Sequence, residues 1–260
     1  MNTLALARRV YHRLQWSAAL LALAGGTVGA AEVGVLSGGA VEPGLHAAAA
    51  VFEKETGHRL ALRFATAPQM RERVLAGETV DVVIAPPAAI DEFVQSGKAL
   101  GAPRVAVGRV GVGVAVRAGL PLPDISSAEA VWRLMLASES LVFNRASTGL
   151  YLEGLLKRQG LYERLAPHIT RYPDGASVMS HLVRGQGREV GFGASTEILM
   201  LRGQGLQYVG PLPTEIQNHT RYVAVPLAAA REPDAALAWL RFLAGPAARA
   251  IFQHHGIDPP

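Results

Sequence analysis

The chain has 260 residues, 50% of them hydrophobic and 6% aromatic, which is enough for one large core or two modest ones. Its 25 basic and 21 acidic residues give a formal charge of +4, but three arginines and no acid fall in the first 30 residues, so residues 31–260 hold 22 basic against 21 acidic side chains. That near-neutral balance leaves no electrostatic footprint for nucleic acid or an acidic membrane, and the absence of cysteine excludes disulfides, thiolate metal sites and a lipid-bearing cysteine.

Arg8, Arg9 and Arg13 precede an apolar run over 16–24, which Gly25-Gly26-Thr27 breaks. Val28-Gly29-Ala30 then offers small residues for cleavage, the layout of a secretory signal peptide. The apolar run is short for a membrane span. The expectation is a signal peptide over 1–30 and a mature protein soluble in the periplasm.

Beyond it, strand and helix signals alternate. A strand is expected at 33–36 and a helix at 42–55, where Leu45, Ala48, Ala49 and Phe52 share one face and Gly57 stops the run. Next come a strand at 59–64, a helix at 68–76, a buried strand at 80–85 and a helix at 88–95. A long strand follows at 105–116, then a helix at 126–137 with Ser126 or Ser127 as its cap. The second half reads strand 141–143, helix 149–159, strand 169–172, helix 175–184 and strand 189–192. Two more strands, at 206–209 and 221–225, lead to helices at 233–244 and 246–255. Such alternation predicts parallel sheets covered by helices.

The run at 105–116 is long enough to pass from one lobe to another, and residues near 220–226 can return. This organisation predicts one lobe from 31–108 and 226–260 and a second from 109–225. A cleft between them would hold a small ligand, and the two crossings would act as hinges.

Several motifs carry no chemistry. Gly108-x-x-Gly111-x-Gly113 lies inside a strand and opens no helix, so it is not a dinucleotide fingerprint. His254-His255 has no third ligand nearby and reads as charge compensation at a helix C-terminus. No cofactor and no metal are expected.

Four segments carry a family resemblance: Ser37-Gly38-Gly39-Ala40-Val41-Glu42-Pro43, Phe52-Glu53-Lys54-Glu55-Thr56-Gly57, Phe64-Ala65-Thr66-Ala67, and Ala76-Gly77-Glu78-Thr79-Val80-Asp81-Val82-Val83-Ile84. Together they resemble the periplasmic molybdate-binding proteins of ABC importers. The resemblance implies the α/β type II periplasmic-binding fold, with two lobes, a ligand cleft between them and two crossing segments. It implies capture of a small anion for an inner-membrane ABC permease by a protein expected to be a monomer. It points to Ser37 and Gly38 in the first loop, Thr66 in the second, Ser147 and Thr148 in the fifth strand's loop, and the loop before the helix carrying Val178. These positions lie at strand-to-helix junctions, where unpaired backbone amides favour an anion.

The stretch 191–197, where the family carries an aromatic segment, holds no tyrosine. Asn144-Arg145 stands where family members often place proline. Arg145 and Arg221 are candidate guanidinium grips, which suit carboxylates as well as metal oxyanions. An alternative reading on the same scaffold is an exported isomerase of a small tricarboxylate, of the aconitate isomerase type. Glu197 or His219 would be its base, and Arg145 or Arg221 its grips.

Overall fold

The computed structural model describes residues 29–260; the expected signal peptide lies outside these residues except for its last two positions. The first half opens with β1 (Glu32–Ser37), a short 3-10 turn, α1 (Glu42–Thr56), β2 (Arg59–Phe64) and α2 (Ala67–Leu75). β3 (Val82–Ala85), α3 (Pro87–Gln95) and the 13-residue β4 (Val105–Arg117) follow. The second half contains α4 (Ala128–Ala137), β5 (Ser140–Asn144), α5 (Ser147–Arg158), α6 (Tyr162–Leu165), β6 (Ile169–Tyr172) and α7 (Gly175–Arg184). It ends with β7 (Glu189–Ala194), α8 (Ser195–Met200), β8 (Leu206–Pro211), β9 (His219–Pro226), α9 (Pro233–Ala244) and α10 (Pro246–His254).

The strands form two sheets that share β4. In the first, β1 is parallel to β2 and β3, and β9 inserts antiparallel between β3 and β4. In the second, β7 and β8 flank β4 antiparallel, while β5 is parallel to β6 and β7. β4 pairs with β9 up to Gly111 and with β7 from Val112, so one strand serves both sheets. All of β9 lies in the first sheet, so the return between sheets precedes it, at Gln217 and Asn218.

Gln217 secures that junction. Its Oε1 accepts from the Val112 amide at 2.8 Å, and its Nε2 donates to the Val112 carbonyl at 3.0 Å and the Leu212 carbonyl at 3.2 Å. The Val112 amide also donates to the Asn218 carbonyl at 3.2 Å and its carbonyl accepts from the Leu212 amide at 3.0 Å, so Gln217 reinforces backbone pairing where β4 leaves one sheet for the other.

Each sheet is covered on both faces, so successive strand residues enter different cores. Val33, Val35, Val82 and Ile84 pack with Leu45, Phe52, Trp239 and Phe252. Leu36 and Val83 point the other way, toward Met70, Ile90 and Phe93. In the second sheet Val112, Val114 and Phe192 meet Leu152 and Leu156, while Ala115 and Val142 meet Val178, Met179 and Leu182.

Asp81, from the Gly-Glu-x-x-Asp segment, is 4% exposed and structural. Its Oδ2 accepts from the Gly34 amide at 2.7 Å, and its Oδ1 accepts from the amides of Arg231 at 2.6 Å and Glu232 at 3.0 Å. It thereby ties the start of α9 to β1. α6 and α8 were not expected from periodicity; with four and six residues they are too short to display it.

Candidate ligand-binding cleft

The C-terminal ends of β1, β2, β5 and β7 and the loop after β6 converge on one cleft between the sheets, the usual ligand position in open parallel α/β sheets. The cleft has two communicating compartments. The larger, of about 480 Å³, is walled by Phe64, Met179, Met200 and Leu201 with Gln69 and Gln204. The smaller, of about 40 Å³, is walled by the first turns of several helices and by Asn144, Thr148 and Tyr222. Gly39, Ala65, Thr66, Gly175 and Glu197 line both.

The small compartment is rich in hydrogen-bond donors. Buried Asn144 uses its Oδ1 to accept from the amides of Ala146 and Gly149, each at 3.0 Å. This pins the first turn of α5, where the Ser147 and Thr148 amides, as N–H groups of a helix start, have no intrahelical acceptor, and both residues line the compartment. Gly149 permits this packing, since a Cβ there would collide with the Asn144 carbonyl oxygen. Arg171 buttresses the loop by donating through Nε to that same carbonyl at 3.3 Å. At α7, Asp174 caps the Ser177 amide at 2.8 Å, and the Gly175 and Ala176 amides precede that bond.

Thr148 and Tyr222 are each 7% exposed. Their hydroxyls have no protein partner among the described residues, and both line the small compartment. Burial, and then the nearby Glu197 charge, hold the Tyr222 hydroxyl well above the usual phenol range. It therefore stays protonated and can donate. Tyr222 brings an aromatic side chain from β9 to the small compartment.

The electrostatics are unusual for a site that takes an anion. No Lys, Arg or His lines either compartment among the described residues, whereas Glu42, Asp174 and Glu197 do. Glu197 is pushed up to about 7 by burial first and then by the charges of Asp174 and Glu42, against a lowering by the Ala194 backbone amide. Near neutral pH it therefore holds its proton part of the time.

The expected site residues divide clearly. Gly38, Thr66, Ser147 and Thr148 line the small compartment, and Thr66 also lines the large one. The Thr66 hydroxyl donates to Gln69 Oε1 at 3.0 Å, which makes it part of the α2 cap. Ser37 is fully buried beneath the loop, where its hydroxyl donates to the Gly38 carbonyl at 3.2 Å. Val178 is fully buried among Met179 and Leu182, because it sits on the sheet-facing side of α7. Arg145 is exposed and lines neither compartment. Arg221 is likewise exposed, because strand alternation turns it away from the face that Tyr222 presents.

Of the two candidate bases, Glu197 is in the cleft. His219 lies outside it, against Gly111 and 3.7 Å from an Asp258 carboxylate oxygen. Asn144, Asp174, Glu42 and Tyr222 were not among the expected site residues. Asp174-Gly175 between a strand and a helix is a cap signature that could have indicated one of them. Among the described residues, no group of three His, Cys, Asp or Glu side chains is arranged to hold a metal ion.

Comparisons with known proteins agree with this architecture. An aconitate isomerase from a Pseudomonas species is 28% identical over 232 residues, spanning 86% of this chain and 87% of that enzyme. The periplasmic molybdate-binding protein of Azotobacter vinelandii superposes with a TM-score of 0.73 at 18% identity, covering 88% of this chain and 99% of that one. The sulfate-binding protein of Mycobacterium tuberculosis gives a TM-score of 0.73 at 19% identity, covering 88% and 87%. These structures share the type II periplasmic-binding fold expected from the sequence. The profile described as "Bacterial extracellular solute-binding protein" matches residues 33–258, nearly the whole described chain, and the protein belongs to that family.

Proposed function

We propose that the protein captures a small organic anion in the periplasm and presents it to an ABC permease. The observation that carries this reading is the pair of hydroxyls of Thr148 and Tyr222, on largely buried side chains that line the small compartment, neither bonded to a described residue. Hydroxyls that are open to the compartment and free of protein partners can donate to a ligand that accepts hydrogen bonds. The helix-start amides of α5 and α7 add donors and partial positive charge around the same point. The apolar walls of the larger compartment leave room for a carbon skeleton beyond the anionic head. Binding between sheets joined by β4 and the segment before β9 favours a closed form by differential affinity.

A thermal-shift panel of molybdate, tungstate, sulfate, phosphate, citrate, and cis- and trans-aconitate tests the reading. A ligand at about 100 times its dissociation constant stabilises by about 2.7 kcal/mol, a shift of roughly 5–10 °C for a chain of this size. A shift with tricarboxylates supports an organic anion; a shift confined to molybdate or tungstate replaces it with a metal oxyanion. No shift with any member rejects anion capture.

A second reading is favoured by the position of Glu197 and by the relative that is an aconitate isomerase. Ionised Glu197 would take a proton from the substrate methylene and return it at the far carbon of the allylic system as the double bond moves. Conversion of cis- to trans-aconitate by the purified protein, followed by proton NMR and lost in Glu197→Gln, supports this reading. Absence of conversion leaves capture alone.

A further inference from the structure

We propose that Glu197 touches the bound anion and carries a proton in the complex, so that each anion is captured together with one proton. This inference rests on the anion reading above and extends it to the regulation and selectivity of the same site.

Position comes first. Glu197 lines both compartments, so a ligand spanning them lies against it. Its carboxyl group fills the gap between the two sheets' loops. A Cβ built on Gly39 would stand 2.8 Å from Oε1, and one on Gly175 would collide with Oε2. Glycine on both sides admits the carboxyl to the point where the two sides of the cleft meet.

The three acids of the cleft differ in what they already do. Asp174 caps α7 through the Ser177 amide. Glu42 sits in the first turn of α1, with His46 Nε2 3.6 Å away on the exposed side. Glu197 has no side-chain partner among the described residues; the Ala194 backbone amide alone lowers it. The groups facing it are Asp174 from the loop before α7, Glu42 from α1 and the Tyr222 hydroxyl from β9. None of them is cationic. An incoming anion would add a further negative charge to this set, which favours the protonated carboxyl. As an acid, Glu197 becomes one more donor beside the hydroxyls of Thr148 and Tyr222, largely buried side chains that line the small compartment without a partner among the described residues. The lift of Glu197 to about 7 leaves a proton available for this purpose near neutral pH. Such a site selects ligands that offer a bare oxygen to a carboxylic acid.

The test is isothermal titration of the full chain with trans-aconitate and with tungstate, at about pH 8, in buffers of different ionisation enthalpy. Both probes keep a constant charge at and above that pH. Uptake of about one proton per anion is expected, with affinity falling about tenfold per pH unit above 8, as linkage requires. Glu197→Gln should bind without proton uptake and with a flat pH profile. Wild-type binding of either probe with no proton uptake overturns the inference and leaves anion capture standing. So does a Glu197→Gln protein that keeps the wild-type pH slope. Failure of both probes to bind at any pH rejects the anion reading for these ligands, and the inference falls with it.

Discussion

At the scale of single residues, the empty cleft should already reveal Glu197. Its folded value of about 7 lies above the ordinary 4.5, so between those values the folded chain holds a proton that the unfolded chain has lost. Stability from this group is therefore complete below about pH 4.5, declines as pH rises, and is lost above about pH 7. Glu197→Gln cannot lose it. The variant should exceed the wild type by about 3 kcal/mol at pH 8, and the gap should close near pH 4.5. Urea unfolding at both values checks this; a wild type more stable at pH 8 would contradict the assigned environment. Thr148 makes a separate prediction. Thr148→Val keeps shape and removes one donor from the small compartment, so affinity for the best anion of the panel should fall about tenfold to a hundredfold with little change in stability. Titration calorimetry with that anion measures it. Thr148 was expected from its loop. Glu197 was considered only as a base, because the glycines that admit its carboxyl to the cleft, Gly39 and Gly175, are remote in sequence and adjacent in space.

At the scale of elements, the cleft is a set of helix starts whose first turns are pinned by side chains bonded to backbone amides. Asn144 is the clearest example, since it occupies the Ala146 and Gly149 amides and leaves those of Ser147 and Thr148 free at the helix start. Asn144→Ala would leave two buried N–H groups unpaired and should destabilise the protein by about 2 to 4 kcal/mol. It should also weaken anion binding in proportion to the disorder of the α5 turn. Chemical unfolding, with amide exchange at residues 146–149, separates the two effects. Most elements were legible from periodicity because apolar spacing records which face is buried. α8 was not. It has six residues between Ala194 and Leu201, too few for a helical repeat, yet it is the element that carries Glu197 into the cleft.

At the scale of the whole molecule, two sheets hang on a single shared strand, and Gln217 binds both backbone groups of Val112 where the sheets meet. Gln217→Ala should lower stability by about 1 to 2 kcal/mol. It should accelerate amide exchange at Val112 while leaving β1, inside the first sheet, unchanged. Equal acceleration in both places would show that Gln217 acts on global stability and not at the junction.

What the sequence determined by itself was local and periodic: the alternation of strands and helices, the stops at glycine, the long crossing strand, and the placement of Gly38, Thr66, Ser147 and Thr148 at strand-to-helix junctions, though Ser147 and Thr148 fall inside α5 and not on the expected loop. These follow from contacts between near neighbours and from which face must be buried. Tertiary structure alone decided the charge and reach of the site. Arg145 and Arg221 looked like grips in the sequence, but loop exposure and strand alternation direct them elsewhere. Tyr222, Asp174, Glu42 and Glu197 come from four separate segments, and only the packing of the two sheets brings them to one cleft. An ionisable group takes its charge from its neighbours in space and its distance from water, and chain spacing records neither.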